Sequence, residues 1–309
     1  MLPLIDGDRA NQDRHVPGVL LSRAPAGPAL PLVFDSPHSG RDYPEDFGHA
    51  VPVELLRRAE DAFVDELIES VPIHGATLLQ ALFPRSYIDP NRHEHEIDPA
   101  MLGEPWPHPV LASEKADMGL GLVRRLIKGN VDIYDRHLTA EEVLARIEGF
   151  HRPYLAELAR LLDAAHAAHG IAWHINCHSM RSAGRRRGQR IPRADIVLGD
   201  REGTSCGPTF TAFVAATARD LGYRVALNDP FKGAELVARF GRPDEGRHSL
   251  QIEINRALYM DEDRIEKRAD FAAFKRDMDR LIGAIADYVS ERSHDSTIQQ
   301  QSLMPGSLR

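Results

Sequence analysis

The fold is decided by residues 171–180, which read Ile171-Ala172-Trp173-His174-Ile175-Asn176-Cys177-His178-Ser179-Met180. The stretch begins with apolar residues and ends with imidazole, amide, thiol and hydroxyl side chains. A helical pattern stops at Gly170, just before it. We therefore predict a buried strand whose carboxyl end opens into a crevice, where open α/β sheets bind their ligands. Imidazoles there can hold a metal ion or transfer protons, whereas a single buried histidine is more often only hydrogen-bonded to its neighbours.

Short apolar runs that alternate with helical patterns predict the fold class. Strands are predicted at residues 30–34, 75–83, 194–198, 223–227 and 249–255, and helices at residues 53–71, 119–128, 138–169, 208–221 and 264–289. This alternation is typical of a three-layer α/β fold with a mainly parallel or mixed central sheet and helices on both faces. Thr139 and Glu142 form a capping box for the helix at 138–169, and Pro153 is predicted to kink or split that helix.

The chain is predicted to form one domain with two tails. Residues 1–29 are rich in Pro, Ala and Gly and form an N-terminal arm, with one short edge strand near residues 19–22. Residues 30–289 form a single α/β domain. Residues 290–309 are rich in Ser and Gln, so we predict a disordered tail.

Composition excludes several classes of protein. The chain has 309 residues, 42% hydrophobic and 27% charged, with a net charge of −8, so nucleic acid is not an expected partner. Two cysteines imply no disulfide framework and fit the cytoplasm. We identify no signal peptide and no apolar stretch long enough to span a membrane. Five arginines within residues 181–190 form either a loop that attracts an anionic substrate or a solvated surface loop. The oligomeric state is not predicted.

Other segment ends carry side chains that could join His178. His38 follows the predicted strand at 30–34, where Pro37 and Gly40 indicate a turn. Asp61 and Asp65 are four residues apart on the helix predicted at 53–71, so they share one face. A carboxylate that faces His38 could complete a metal site. The alternatives are a turn histidine and solvent-facing carboxylates, the latter being favoured for Asp65.

Two further segments carry polar residues suited to a substrate. Asn91 and Arg92 follow Pro90 on a loop, and a guanidinium beside an amide can receive a substrate carboxylate in a planar, two-pronged way. The alternative is an arginine paired with Asp89. Residues 249–255 alternate between polar and apolar side chains, which indicates either a strand that lines a site or one with a solvated face. On this strand Glu253 is the candidate general base.

Together these residues predict a hydrolytic metal site. His38, His178 and the carboxylate of Asp61 leave one coordination position open, as in catalytic zinc sites. Zinc polarises a carbonyl and acidifies water, Glu253 can move the proton, and Arg92 with Asn91 can hold a substrate carboxylate. We therefore predict an amidohydrolase that acts on an N-acyl amino acid and binds one zinc ion per chain.

Several motifs in the same order resemble the N-formylglutamate amidohydrolases (N-formylglutamate deformylases) over about residues 30–285. They are Ser36-Pro37-His38-Ser39-Gly40, Asp61 with Val64-Asp65, residues 85–92 ending in Asp89-Pro90-Asn91-Arg92, Asn176-Cys177-His178-Ser179-Met180, residues 195–200, Phe231-Lys232-Gly233, and Gln251-Ile252-Glu253 through Tyr259-Met260. The resemblance implies hydrolysis of N-formyl-L-glutamate to formate and L-glutamate, a late step of histidine degradation. It also implies a zinc-carboxypeptidase-like fold.

The wider resemblance to zinc carboxypeptidases and aspartoacylases implies the same residue roles. Asp89, Asn91 and Arg92 resemble their carboxylate-holding motif, and Glu253 resembles their late catalytic glutamate. One position departs from the pattern, because Arg41 stands where those relatives carry a ligating Glu. The resemblance then requires another carboxylate ligand, for which Asp61 is the first choice and Asp89 the reserve.

The substrate leaves alternatives open. N-formylglutamate has two carboxylates, so Lys232, Arg193 and residues 181–190 are candidates for a second cationic contact. One alternative is the same chemistry on another N-acyl amino acid or on a peptidoglycan-like amide. An alternative of another class is a binding protein that keeps the cleft without turnover.

Overall fold

A mixed eight-stranded sheet forms the centre of the computed structural model, which describes residues 12–127, 130–186 and 189–303. The strands are β1 Arg14–Val16, β2 Leu20–Arg23, β3 Leu32–Ser36, β4 Thr77–Ala81, β5 Leu126–Ile127, β6 Val131–Asp132, β7 Ala172–Met180, β8 Ala183–Arg186, β9 Gln189–Pro192, β10 Ile196–Gly199, β11 Val225–Leu227, β12 Arg247–Asn255, β13 Met260–Asp261 and β14 Glu266–Lys267. The sheet has the order β1-β2-β4-β3-β7-β12-β10-β11. Pairs β5–β6, β8–β9 and β13–β14 are separate antiparallel ribbons.

Helices cover both faces of this sheet. They are α1 Val53–Leu56, α2 Val64–Leu67, α3 Glu114–Asp117, α4 Ala140–Arg146, α5 Arg152–His169, α6 Pro208–Asp220, α7 Glu235–Phe240 and α8 Phe271–Leu303. Side chains from α6 and α8 pack with Trp173, Ile175 and Cys177 of β7 in one core. Side chains from α4 and α5 pack with Ala172 in a second core on the opposite face. The predicted α/β class, with a mixed sheet between helical layers, is confirmed.

The central position of β7 follows from its sequence. All nine residues of this strand are buried, and it pairs in parallel with both β3 and β12. Odd-numbered apolar residues face the α6–α8 core, so His174, Asn176 and His178 face the other way, toward α5. The prediction of a buried strand entered from a helix that ends at Gly170 is confirmed, since Gly170 adopts the left-handed conformation that ends α5.

The helix predicted at residues 53–71 is wrong. Two short helices, α1 and α2, lie there instead, separated by a segment that contains Asp61. The helix cannot continue because Glu60 is extended and Phe63 has a φ of 66°. Asp61 and Asp65 therefore do not share one helical face.

Several other predicted boundaries also differ. Residues 119–127 are not helical; Gly119 has a φ of 69°, and the short strand β5 follows it, while residue 128 lies outside the described residues. The last helix begins at Phe271 rather than at residue 264, because the ribbon β13–β14 precedes it. It continues through Leu303, so the disorder predicted from residue 290 onward is wrong as far as Leu303.

The N-terminal arm and the arginine-rich segment also have regular structure. Strands β1 and β2 extend the sheet beyond β4, with β2 antiparallel to β4. The segment at 181–190 contributes to the antiparallel ribbon β8–β9. The division into one domain with two tails stays a prediction.

The long helical pattern at residues 138–169 is largely confirmed. Thr139 and Glu142 form the predicted capping box at the start of α4. A π-helical turn at Ile147–His151 separates α4 from α5, and Pro153 lies in the first turn of α5, where its missing N–H is tolerated. Both cysteines are buried and free. No helix within the described ranges is long and apolar enough to cross a bilayer.

Candidate active site

The candidate site lies where four neighbouring strands end. Strands β4, β3, β7 and β12 are mutually parallel, so their carboxyl ends share one edge of the sheet. His38 follows β3, Asp89 follows β4, and His178 and Glu253 lie near the ends of β7 and β12. Open α/β sheets bind ligands at this edge, and the structure places the predicted chemistry there.

His38, Asp61 and His178 converge, although they come from distant parts of the sequence. All three are buried. Asp61 Oδ2 lies 3.0 Å from Nδ1 of His178 and 3.3 Å from Nδ1 of His38, and the two ring centroids are 4.6 Å apart. The potential ligand atoms of the three residues lie within 4.8 Å of one another. The predicted proximity of the two imidazoles is therefore present.

The orientation of both rings fits a divalent cation. Nδ1 of His38 is buried and has no hydrogen-bond partner, while its Nε2 lies 2.7 Å from Asp89 Oδ1. Nε2 of His178 lies 2.7 Å from Asn176 Oδ1. Each ring thus has an acceptor at Nε2 and directs Nδ1 toward the Asp61 oxygen, as metal-ligating histidines do when a partner fixes their tautomer. Two imidazole nitrogens and one carboxylate oxygen are a suitable donor set for zinc.

Asp61 is held so that one oxygen faces the imidazoles. Its backbone N–H donates to the carbonyl of His38 at 2.9 Å. Arg256 Nη2 and Ser179 Oγ donate to Oδ1 at 3.1 and 3.3 Å, which leaves Oδ2 for the rings. Burial alone would raise the pKa of Asp61, but the close imidazoles of His178 and His38 together hold that pKa well below its usual range. Asp61 is therefore a carboxylate.

Asp89, the reserve ligand, lies on the other side of the His38 ring. Its Oδ1 also accepts from the backbone N–H of Asn91 at 3.0 Å, and its Oδ2 accepts from Arg85. Burial opposes the ionisation of Asp89, but the charge of Arg85 together with His38 and Arg92 keeps the pKa well below its usual range. Because Asp89 contacts Nε2 rather than Nδ1, its position is that of a carboxylate that orients His38.

The loop that carries His38 depends on Gly40. A Cβ on this residue would lie 2.2 Å from the carbonyl oxygen of Phe83 and 2.5 Å from that of Leu82. No side chain fits between these backbone segments, so the turn after β3 can approach the end of β4 only with glycine. This contact brings His38 next to Asp89.

A buried network of polar side chains holds Asn176, the hydrogen-bond partner of His178, in place. Asp35 on β3 accepts from Asn176 Nδ2 at 2.7 Å and from the Tyr154 hydroxyl at 2.8 Å, and it lies 2.9 Å from Nε2 of His174. His174 Nδ1 in turn lies 2.7 Å from Ser249 Oγ. Asp35 therefore fixes the amide of Asn176, whose oxygen faces His178. The sequence interpretation gave Asp35 no role, since only the β3–β7 pairing brings it beside Asn176.

Glu253 lies directly beside His178 across the β7–β12 pair. Its Oε1 accepts from Gln251 Nε2 at 2.9 Å. Burial raises the pKa of Glu253 to about 7, with the Asp61 charge contributing, although nearby cations oppose the shift. The polar residues of this strand, Ser249, Gln251, Glu253 and Asn255, are all buried. The alternative of a solvated strand face is therefore wrong.

The four predicted substrate contacts occupy different positions. Asn91 is buried beside the three candidate metal ligands, where its Nδ2 lies 3.0 Å from His178 Nε2 and its Oδ1 accepts from the Leu236 backbone N–H. Arg92 donates to the carbonyls of Leu120 and Asn91 and lies 3.8 Å from Glu96. Its Nη2 makes no hydrogen bond to any residue that the structure describes. Asn91 and Arg92 are thus at the site.

The other two cationic residues lie farther out. Arg193 packs over the Phe231 ring at 5.0 Å and lines a cavity of about 440 Å³ together with Ser182, Arg190 and Asn255. Burial lowers the pKa of Arg193, and the charge of Glu253 opposes that shift. Lys232 is 59% exposed and pairs with Glu202 at 2.6 Å, on the surface.

Comparisons with known proteins converge on one family. The profile of the N-formylglutamate amidohydrolase family matches residues 30–260. The N-formylglutamate deformylase of Pseudomonas aeruginosa is 29% identical over 274 residues, which cover 85% of this chain and 95% of that protein. A crystal structure of N-formylglutamate amidohydrolase from Ralstonia eutropha JMP134 is 47% identical, with a TM-score of 0.84, and covers 89% of this chain and 99% of that one.

A more distant structure shares the fold. The Agrobacterium tumefaciens protein Atu2144 is 17% identical, with a TM-score of 0.60, over 88% of this chain and 95% of that one. The fold therefore extends to sequences that differ widely.

Proposed function

This chain belongs to the N-formylglutamate amidohydrolase family, whose members hydrolyse linear amides, and from this we propose that it converts N-formyl-L-glutamate and water to formate and L-glutamate. One observation of the molecule carries the proposal: His38, Asp61 and His178 converge beside Glu253 at the carboxyl edge of the sheet. This arrangement joins a candidate metal site to a candidate general base, a pair that can hydrolyse amides.

We propose that His38, Asp61 and His178 hold one zinc ion. When bound, the ion polarises the amide carbonyl and acidifies water. Asp89 and Asn176 orient the two imidazoles, while Arg256 and Ser179 orient the carboxylate of Asp61. These contacts fix the donor atoms before any ligand arrives, which reduces the cost of binding the cation.

Glu253 has the position and the pKa of a proton carrier. It accepts a proton from the water that attacks the formyl carbon and gives this proton to the amide nitrogen as the C–N bond breaks. The second proton of the water passes from the new carboxyl group to the released amine or to solvent, so the products are formate and L-glutamate. Burial raises the pKa of Glu253 above that of a free carboxyl group, to about 7 without a bound cation, which favours both uptake and release of the proton.

The substrate contacts follow from the same geometry. We propose that Arg92 receives one substrate carboxylate through its Nη2 group, and that Asn91 contributes its amide beside His178. Arg193 and Lys232 are proposed as outer cationic contacts that attract a dianion.

Formate release from N-formyl-L-glutamate tests the proposal. Purified protein supplied with zinc is expected to release formate and L-glutamate in equal amounts, and excess chelator is expected to abolish the reaction until zinc is restored. A panel with N-acetyl-L-glutamate, N-formyl-L-methionine and a peptidoglycan-like amide provides the comparison. Faster turnover of another panel member would identify that compound as the substrate instead. The absence of turnover with every member would contradict the enzyme activity proposed for this chain.

The pH dependence of this reaction is expected to report on Glu253. A general base works only when deprotonated, so kcat/KM is lost as the pH falls through the pKa of Glu253. Burial raises that pKa to about 7, and a bound cation lowers it toward the ordinary 4.5, because positive charge favours the carboxylate. We expect an acidic limb with a midpoint between these two values. Initial rates measured across the acid and neutral range test this, and the residual activity of Glu253→Gln should lack the limb.

A further inference from the structure

An excess of positive charge surrounds Asp89. Arg85 Nε and Nη2 donate to Asp89 Oδ2 at 3.1 and 2.7 Å. Arg124 Nη2 approaches the same oxygen, but only to 3.6 Å. The other oxygen, Oδ1, is occupied by His38 and by the backbone N–H of Asn91. One carboxylate therefore faces two guanidinium groups, and Arg85 makes both hydrogen bonds to its Oδ2 atom.

Arg124 is left with little compensation. Its side chain is only 12% exposed, and its Nε is buried without a hydrogen-bond partner. Its one charge contact among the described residues is the long approach to Asp89. Burial lowers the pKa of Arg124 to about 9, and the neighbouring charges of Arg85 and Arg92 act in the same direction. A buried cation with unused donors is costly unless an anion pairs with it.

This guanidinium lies close to the candidate metal ligands His38, Asp61 and His178. Asp89 contacts both His38 and Arg124, so a single carboxylate separates Arg124 from a candidate metal ligand. The charge of Asp61 also acts on both Arg85 and Arg124. Arg124 is therefore linked to the candidate metal ligands through the Asp89 carboxylate and the His38 ring.

We propose that Arg124, with Arg85 beside it, forms a subsite for the side-chain carboxylate of a dicarboxylic N-acyl amino acid. The inference rests on the proposed function, in which Arg92 receives the other carboxylate. Arginine suits this role because its planar fork can donate two parallel hydrogen bonds to a carboxylate. The subsite selects against neutral side chains, since these would leave the buried guanidinium unpaired.

Arg124→Gln tests the subsite with N-formyl-L-glutamate and with N-formyl-L-glutamine, which has the same shape without the second charge. The variant is expected to raise the KM for N-formyl-L-glutamate by about 10- to 100-fold, the range for hydrogen bonds to charged groups. The KM for N-formyl-L-glutamine, the kcat and the zinc content are expected to change little. An unchanged KM for N-formyl-L-glutamate, or equal losses with both substrates, would overturn the proposal.

Arg125→Gln is the matched control. It removes the same charge one residue away, where the guanidinium pairs with Asp98 and Asp132. Both KM values are expected to stay as in the unmodified enzyme. Arg124→Lys guards against misfolding of Arg124→Gln. It keeps the positive charge but not the planar fork, so its KM for N-formyl-L-glutamate should lie between that of the unmodified enzyme and that of Arg124→Gln.

Calorimetry with the product L-glutamate separates this inference from the proposed function, because binding needs no turnover. Loss of L-glutamate binding in Arg124→Gln alone supports the subsite even if no protein releases formate, in which case only the proposed function fails. Equal formate release and equal L-glutamate binding by all variants would contradict the proposed subsite and leave the proposed function intact.

Discussion

Glu253→Gln is expected to lower kcat by about 10²- to 10⁴-fold, the usual contribution of a general acid–base group. The amide cannot accept the proton of the attacking water, so the variant loses the proton transfer on which both bond formation and C–N cleavage depend. Ligand binding is expected to persist, because Glu253 contacts Gln251 rather than either predicted carboxylate receiver. Single-turnover formate release and calorimetry with L-glutamate measure the two effects separately.

The fold of this variant is expected to remain intact. Glutamine has the shape of glutamate, and its oxygen can still accept the hydrogen bond from Gln251 Nε2. Burial raises the pKa of Glu253, which shows that the charged form is unfavourable at this position. Removing the charge should leave the free energy of unfolding unchanged or slightly higher.

Glu262→Gln provides the control for this experiment. Glu262 accepts hydrogen bonds from the backbone and hydroxyl of Ser182 rather than from a candidate metal ligand, so Glu262→Gln should leave kcat unchanged. If Glu253→Gln also keeps its rate, Glu253 is not the base. If neither variant nor the unmodified protein turns over any substrate while L-glutamate binds, the chain is a binding protein.

The sheet was predictable where hydrophobicity alone determines structure. Residues 172–180 form β7, as a short apolar run between a helix stop and a polar cluster predicts. The interruption of the helix predicted at residues 53–71 was not predictable in the same way. Residues 53–71 keep helical spacing, yet Phe63 adopts a left-handed conformation that places Asp61 against His38. Tertiary contacts override local propensity there, and the break is what positions the carboxylate.

The site was predictable in its reactive groups but not in their supports. Histidine and carboxylate side chains at strand ends are visible in the sequence, so His38, His178 and Glu253 could be named. Asp35, Arg124 and Arg256 act through contacts with residues far away in the sequence. Nothing in local spacing distinguishes a buried arginine from a surface one. Strand order and side-chain packing were needed to show which charges meet.

His178→Ala is expected to reduce the zinc content from about one ion per chain to nearly none, and to abolish chelator-sensitive formate release. The variant removes one of three protein ligands, and the remaining histidine and carboxylate cannot hold a divalent cation tightly. Elemental analysis of the purified protein measures the loss. Asn176 Oδ1 and Asp61 Oδ2 also lose their partner, so unfolding is expected to require about 1–3 kcal/mol less.

A remote histidine provides the control for this loss. His248 on β12 stacks on Trp173 and accepts from the Gly207 backbone N–H, away from the cluster. His248→Ala should keep both zinc and activity. If His178→Ala retains a full zinc ion and its rate, the proposed metal centre is wrong, because His38 and Asp61 alone could not replace the third ligand.

Two matched amide variants then separate the carboxylates that the sequence left open. Asp61→Asn removes the charge that faces both Nδ1 atoms, so zinc should be lost as completely as in His178→Ala. Asp89→Asn removes only the partner of His38 Nε2, which should weaken zinc affinity by about 10- to 100-fold without abolishing it. The reverse order of effects would make Asp89 the ligand. Because the two aspartates lie on opposite sides of one imidazole, the ranking of their zinc affinities decides which nitrogen of His38 binds the metal.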